Sequence, residues 1–331
     1  MLKEKIIARA LNAKEGISTD RSRCLRMRFN RNSCASCIEQ CRFNAIAIVE
    51  DVRIEANQCS ECMLCVSSCH SDCFEINGFD FYSLIGKLRK IQSSVGPPVL
   101  GCRANVKTPS HAKTFCFGFL SEEHIIAFSV FMNDHLHLDV SGCADCRNSF
   151  IIDALEKRIQ AVDVKTSIGA VEKIRLIKNK TDLDIQEASY DRRGFFKAMK
   201  NFTFIKAAGL FGEDPSKEIQ AYSEKILPFK RELLNRALEI SPGKTRKALL
   251  KNYYYTVDAT DTCNNCFACI GMCPTGALKI ENSGDHRELF FSTALCNGCG
   301  LCKSFCMSSA VAIENGFSGD NPFEFIRAKK E

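Results

Sequence analysis

The spacing of apolar positions changes several times along the chain, and each change marks an element. Pro97 to Leu100 reads as a short apolar strand running into Gly101-Cys102, and Thr114-Phe115-Cys116-Phe117 as another. Ser121, followed by Glu122 and Glu123, opens a helix predicted over 121–133, with the serine as N-cap and the acids in its first turn. Leu136, Leu138 and Val140 then alternate, which predicts a strand delivering Ser141-Gly142-Cys143 at its C-terminal end, and a helix follows at about 148–161. Alternating strands and helices with cysteines at strand ends make an α/β pattern. Residues 181–255 read as helical and contain no cysteine. Within them Ile219, Tyr222, Ile226, Phe229, Leu233 and Leu234 recur at helical spacing over 217–239, stopping near Ser241-Pro242-Gly243.

Composition narrows the class. A chain of 331 residues, 45% hydrophobic and 25% charged, can bury a core and suggests two or three domains. No run of roughly 18 apolar residues is present, so a soluble or membrane-peripheral protein is expected. The 21 cysteines decide the chemistry. The N-terminal stretch MLKEKIIARALNAKEG lacks the apolar segment of a secretory signal, so a cytoplasmic setting is expected. In a reducing compartment such cysteines serve as thiolate ligands more often than as disulfides.

Near the C-terminus, Cys263-x2-Cys266-x2-Cys269-x3-Cys273-Pro274 is followed after 22 residues by Cys296-x2-Cys299-x2-Cys302-x3-Cys306. Two zinc ribbons would use pairs of C-x2-C rather than two four-cysteine runs. The N-terminal end repeats the plan. Cys59-x2-Cys62-x2-Cys65-x3-Cys69 is complete, whereas its predecessor reads Cys24-x9-Cys34-x2-Cys37-x3-Cys41. The longer first loop adds little closure entropy, which grows only logarithmically with length.

Residues 20–80 and 256–315 each resemble the two-cluster bacterial-type ferredoxin domain, over somewhat more than a third of the chain. Phe43-Asn44-Ala45-Ile46, Asp72-Cys73-Phe74-Glu75-Ile76, Pro274-Thr275-Gly276-Ala277-Leu278 and Ser308-Ser309-Ala310-Val311 match that family's turn into a short strand. The family's proline after the fourth cysteine is kept only at Pro274; Arg42, His70 and Met307 replace it elsewhere. The resemblance implies [4Fe-4S] clusters with crossed ligation, the fourth cysteine of each run serving the other cluster. The implied sets are Cys263, Cys266, Cys269 with Cys306; Cys296, Cys299, Cys302 with Cys273; Cys24, Cys34, Cys37 with Cys69; and Cys59, Cys62, Cys65 with Cys41. For the Cys24 set the alternative is a degenerate site, with Cys24 a free thiol and the cluster three-iron or absent, and Cys73 is a competing ligand.

The expected fold class is therefore α+β, with two ferredoxin-like dicluster domains (1–80 and 256–331) flanking a central α/β domain (81–180) and a helical linker (181–255). In the centre Cys102, Cys116, Cys143 and Cys146 form a candidate fifth iron–sulfur or metal site, against the alternatives of a redox dithiol at Cys143-x2-Cys146 or plain buried thiols. The pattern loosely resembles thioredoxin-like two-iron ferredoxin domains, although the spacings differ. His135 and His137 share a strand face leading to that pair and read as packing or surface residues. Asp191-Arg192-Arg193-Gly194-Phe195-Phe196-Lys197 resembles a twin-arginine export signal but lies mid-chain, which argues against export. The Phe- and Lys-containing stretch 194–211 leaves peripheral contact with the inner membrane or a partner open.

The formal charge of +6 first suggests a nucleic-acid partner. Four clusters with their thiolates add about −8, leaving about −2, so the basic balance is cluster compensation and no nucleic-acid partner is expected. The near match to a nucleotide fingerprint, Asn297-Gly298-Cys299-Gly300, has a candidate cluster ligand inside it. No catalytic triad or carboxylate pair stands out, so no catalytic residue is assigned. The expectation is a noncatalytic electron carrier, or an electron-transfer subunit of an oxidoreductase complex in an anaerobic setting, working between redox protein donor and acceptor subunits. The alternatives are a reductase whose central cysteine site is catalytic, and an iron–sulfur redox sensor.

Overall fold

The computed structural model describes residues 16–183, 185, 224–283 and 286–328. The fold is mixed α and β, and its two ends repeat one plan. At the N-terminal end strands β1 (Ile17–Thr19), β2 (Ile46–Ile48), β3 (Val52–Ile54) and β4 (Phe74–Ile76) pair antiparallel, β1 with β4 and β2 with β3. Between them lie short helices α1 (Leu25–Arg28), α2 (Ser36–Glu39) and α3 (Leu64–Ser68). The strands are only three residues long, and their apolar residues, such as Ile17, Val52 and Ile54, are buried against the cysteine loops.

A longer helix, α4 (Phe81–Val95), leads away. Asp80 caps it by accepting from the backbone N–H groups of Tyr82 and Ser83, and Phe81, Leu84, Ile85, Leu88 and Ile91 form its buried stripe. A four-stranded parallel sheet follows, sharing one buried core with the N-terminal unit. Strands β5 (Val99–Cys102), β6 (Ala112–Thr114), β7 (Leu136–Asp139) and β8 (Ile174–Ile177) are ordered β6-β5-β7-β8. Both neighbours of β5 run parallel to it, with Leu100 beside Ala112 on one side and Leu138 on the other. The chain leaves β5 first to one side and later returns to the other, so the carboxyl ends of β5, β6 and β7 surround a topological switch point, where sites gather in open sheets.

Helix α5 (Glu122–Phe131) connects β6 to β7, and α6 (Ile151–Thr166) with α7 (Ala170–Lys173) connects β7 to β8. Ser121 and His124 form the capping box that starts α5. Its residues 124–129 are all buried, because it packs among α6 and α8 (Phe229–Ile240) rather than at the surface. The expected helix over 121–133 ends earlier because Met132 is extended. The helix expected at 148–161 is shifted, because Asn148 to Phe150 turn first and the apolar stripe continues through Val162 to Thr166.

Of the 181–255 segment, the twin-arginine-like stretch 191–197 and the Phe-rich stretch 194–211 lie outside the described residues. Residues 224–228 are not helical, although the spacing of Ile226 reads that way. Ile226 donates its backbone N–H to the carbonyl of Pro274, and Pro228 breaks the helix before α8 begins. After Pro242, α9 (Gly243–Tyr253) runs to the last unit. There β9 (Tyr255–Ala259), β10 (Leu278–Ser283), β11 (His286–Phe291) and β12 (Val311–Asn315) pair β9 with β12 and β10 with β11, and α10 (Ala268–Met272) and α11 (Leu301–Phe305) hold the N-terminal unit's helix positions. A two-residue strand, β13 (Ile326–Arg327), adds to β11.

Candidate functional site

All 21 cysteines are free thiols, and most are gathered into five groups. In the N-terminal unit, burial and then the neighbouring thiols of Cys69, Cys24 and Cys34 push Cys37 up to about 12. Burial and then Cys62, Cys59, Cys37 and Cys41 raise Cys65. The C-terminal unit repeats this. Burial and then Cys263, Cys266 and Cys306 lift Cys269 to about 11, and burial and then Cys296 and Cys273 lift Cys299 to about 12. The fourth cysteine of every run thus stands with the first three of its partner run. Two apolar cavities mark the N-terminal pair of groups, one lined by Cys24, Cys34, Cys37 and Cys69, the other by Cys41, Cys59, Cys62 and Cys65.

Backbone conformation is specialised at the same places. Asn44, Asp72, Gly276 and Ser309, each three residues after a fourth cysteine, have positive φ. One residue further on, the N–H groups of Ala45, Cys73 and Ala310 donate to the sulfurs of Cys41, Cys69 and Cys306, each at 3.3 Å. In the three C-x2-C-x2-C loops the left-handed pairs are Glu61 with Met63, Asn265 with Phe267, and Gly298 with Gly300. Alternating hand turns successive N–H groups inward into a nest that favours an anion. Of the eight described non-glycine residues with positive φ, seven adjoin these cysteines. Each costs about 1–2 kcal/mol, so the strain is concentrated around the cysteine sulfurs.

The first group gathers a fifth thiol. Cys73 is 1% exposed and hydrogen-bonds Cys24, which lowers Cys24 to about 6 and raises Cys73. Both the expected ligand and its competitor are therefore present.

The central cysteines also converge. Cys102 ends β5, Cys116 follows β6, and Cys143 and Cys146 follow β7, so all four lie at the switch point. Burial, then Cys102 and Cys146, lifts Cys143 to about 11; burial lifts Cys116 to about 12, with Cys102, Cys62 and Cys143 adding. Asn148 donates its N–H to the Cys146 sulfur at 3.4 Å and its side-chain amide to the Ser60 carbonyl at 3.0 Å, joining this group to the Cys59 loop. His135 pairs with Asp134, and the groups acting on His137 are Arg175, His135 and Asp134, so the strand histidines stay apart from the cysteines. Among the described residues no three His, Cys, Asp or Glu close tightly around one metal ion.

Several organising residues have no motif. A Cβ at Gly118 would lie 1.9 Å from the Cys62 carbonyl oxygen, so the turn after Cys116 touches the Cys59–Cys65 loop backbone to backbone. Arg158 ties the same seam, donating to the carbonyls of Gly118 at 3.1 Å and Leu120 at 2.7 Å and to Ser67 Oγ at 2.9 Å. Lys230 Nζ donates to the carbonyls of Val66, Ser67 and Cys69 at the end of α3. Lys225 Nζ does the same at the equivalent carbonyls of α10, to Ile270 at 3.1 Å, Gly271 at 2.9 Å and Cys273 at 2.8 Å. Across the seam between the terminal units, Asn297 donates to the His70 carbonyl at 2.8 Å, and Phe29 meets Phe305 edge-on at 5.2 Å. These contacts join residues far apart in sequence, and no local pattern announces them.

No family model, curated protein or solved structure matches this chain.

Proposed function

We propose that this chain is an iron–sulfur electron-transfer protein in which two ferredoxin-like dicluster domains hold four [4Fe-4S] clusters and relay single electrons between separate donor and acceptor proteins. The supporting observation is that two distant segments build the same crossed sets of four cysteines, in loops whose N–H groups turn toward sulfur. A cubane spreads four thiolates over four irons, so its ligands need not crowd as they would around one ion. When bound, a cluster supplies a reversible one-electron change. The chain's part is to exclude water, orient the thiolates and compensate their charge. The buried thiols raised by burial and by one another suit sites where iron takes the place of the protons.

Neighbour relations arrange the groups in series. The central group meets the Cys41 group where Cys116 faces Cys62, and the Cys41 group meets the Cys24 group where Cys65 faces Cys37. The carbonyl of His70, next to Cys69, accepts from Asn297, beside Cys296, and Cys302 then faces Cys269. Cys266 is the one exposed cysteine, and Met307 nearby is fully exposed, which makes the Cys263 group the end presented to a redox partner. The central four cysteines, adjoining the relay at a switch point, support a second reading in which a fifth cluster there is a branching or catalytic centre. No described helix is long and apolar enough to cross a membrane. A cytoplasmic protein, with the inner membrane as a peripheral contact, fits this proposal.

The test is anaerobic purification with iron, acid-labile sulfide and EPR of the reduced form. Four cubanes give about 16 iron per chain, and a loaded central site gives about 18 to 20. Cys266→Ser or Cys299→Ser should abolish electron throughput while the N-terminal cluster signal persists. An unchanged rate, or a protein that binds no iron, refutes the relay.

A further inference from the structure

The N-terminal unit departs from the repeated plan twice, and both departures meet in one place. The opening cysteine of its first run, Cys24, stands ten residues ahead of Cys34 rather than three. The second departure lies in the turn that follows each run's fourth cysteine. Four residues on, the chain carries Ala45, Ala277 and Ala310, each at most 2% exposed, but Cys73 at the corresponding place. A methyl fills this socket three times and a thiol once.

The extra thiol is held against Cys24. Cys73 donates its N–H to Cys69 Sγ at 3.3 Å and accepts at its carbonyl from the Asp20 N–H at 2.8 Å. Arg23 adds a bond from Nη1 to the Asp72 carbonyl at 3.5 Å and an ion pair with Glu75 at 3.3 Å. These contacts fix segment 20–24 against 72–75, and the Cys24 and Cys73 side chains hydrogen-bond each other. Both line the cavity of the first group with Cys34, Cys37 and Cys69, whereas the neighbouring cavity has only Cys41, Cys59, Cys62 and Cys65. A cubane takes four thiolates, so five around one cavity leave one over.

We propose that Cys24 and Cys73 form a reversible oxidation site that closes as a disulfide in the presence of peroxide. The Cys24 thiolate attacks one peroxide oxygen, the O–O bond breaks and a water leaves, with the sulfur oxidised to a sulfenic acid. The Cys73 thiol then displaces the sulfenic oxygen as a second water. One thiolate, one thiol, one peroxide and one proton enter, one disulfide and two waters leave, and two electrons pass from sulfur to oxygen. Sulfurs already in contact need little movement to close a bond of about 2.05 Å. Cys24, 8% exposed, takes the attack, and Cys73, 1% exposed, is the sheltered resolving thiol. On the relay reading, closure takes Cys24 from the first cluster, which stands between the Cys41 and Cys296 groups, and so opens the circuit between the two halves of the molecule. That consequence rests on the iron–sulfur proposal; the closure itself does not.

The experiment treats the full-length, anaerobically purified protein with hydrogen peroxide, blocks the remaining thiols with N-ethylmaleimide and maps the unreduced digest by tandem mass spectrometry. A Cys24–Cys73 cross-link is expected as the principal disulfide, and dithiothreitol should reopen it. Cys73→Ala restores the residue found at the other three turns, so it should fold. Without a resolving thiol its Cys24 should pass on to the sulfinic acid, and recovery of the first cluster's EPR signal with dithiothreitol, ferrous iron and sulfide should fall about ten-fold. Cys24 untouched or oxidised without pairing, disulfides spread over every group with no excess for this pair, or a Cys73→Ala variant that recovers as fully as its parent overturns the proposal. Iron content decides the relay separately: a protein that binds no iron refutes the relay, and the same digest still reads closure of the pair.

Discussion

Removing the Lys230 ammonium while keeping its apolar stem, as in Lys230→Met, should destabilise the protein by about 3–5 kcal/mol. The lysine and Asp72 side chains are 8% and 11% exposed, so the substitution strands a carboxylate that water reaches poorly and takes the donor from three carbonyls at the end of α3. Lys225 makes three equivalent bonds at the end of α10, but it is more exposed and no carboxylate among the described residues pairs with it. Water can replace it there, so Lys225→Met should cost only about 1–2 kcal/mol. Anaerobic guanidinium unfolding followed by circular dichroism measures both. The pH dependence gives an independent check. Burial raises the Asp72 carboxyl while Lys230 and Arg23 pull it down, so losing Lys230 raises it further. A carboxyl with a folded pKa above its unfolded one adds stability at low pH that is lost as pH rises through the folded value. The Lys230→Met deficit should therefore shrink as pH falls from 7 toward about 4. Adding Asp72→Asn should recover part of the loss at pH 7. A deficit below about 1 kcal/mol, or equal deficits for the two lysines, would refute this account.

Three further predictions follow from other contacts. Gly118→Ala, which drives a methyl into the Cys62 carbonyl, should cost about 3 kcal/mol and weaken magnetic coupling between any central cluster and its neighbour, read by unfolding and EPR. Burial, the leading influence, holds His124 neutral down to about 3, below its unfolded value near 6.5, so stability held above pH 6.5 should drain away as pH falls toward 3. His124→Gln should flatten that slope in urea midpoints measured across the range. Because the Cys73 thiol already touches Cys24, Cys24→Ala should retain a four-iron EPR signal that the Cys24→Ala, Cys73→Ala pair loses.

What could be read from the chain was set by how local the physics is. The crossed grouping of cysteines was implied by the resemblance to two-cluster ferredoxins, and β5, α5, β7 and α6 follow the apolar alternation that suggested them. The extended run 224–228 was missed because helical spacing at Ile226 outweighed its backbone bond to Pro274, a partner 48 residues away. Lys225, Lys230, Arg158 and Gly118 belong to no motif. Their value lies in carbonyls presented by other segments, and only the assembled seams reveal them.

The two lysines that close α3 and α10 stand five residues apart. Even fully extended, five residues reach no more than about 18 Å. The stretch from Lys225 to Lys230 is thus a caliper with one jaw on each half of the molecule, and its length sets how far apart the Cys69 and Cys273 groups can stand. Residues inserted between the jaws would leave each half's own fold intact and change the gap between them, so the length of this short stretch is under tighter constraint than its composition.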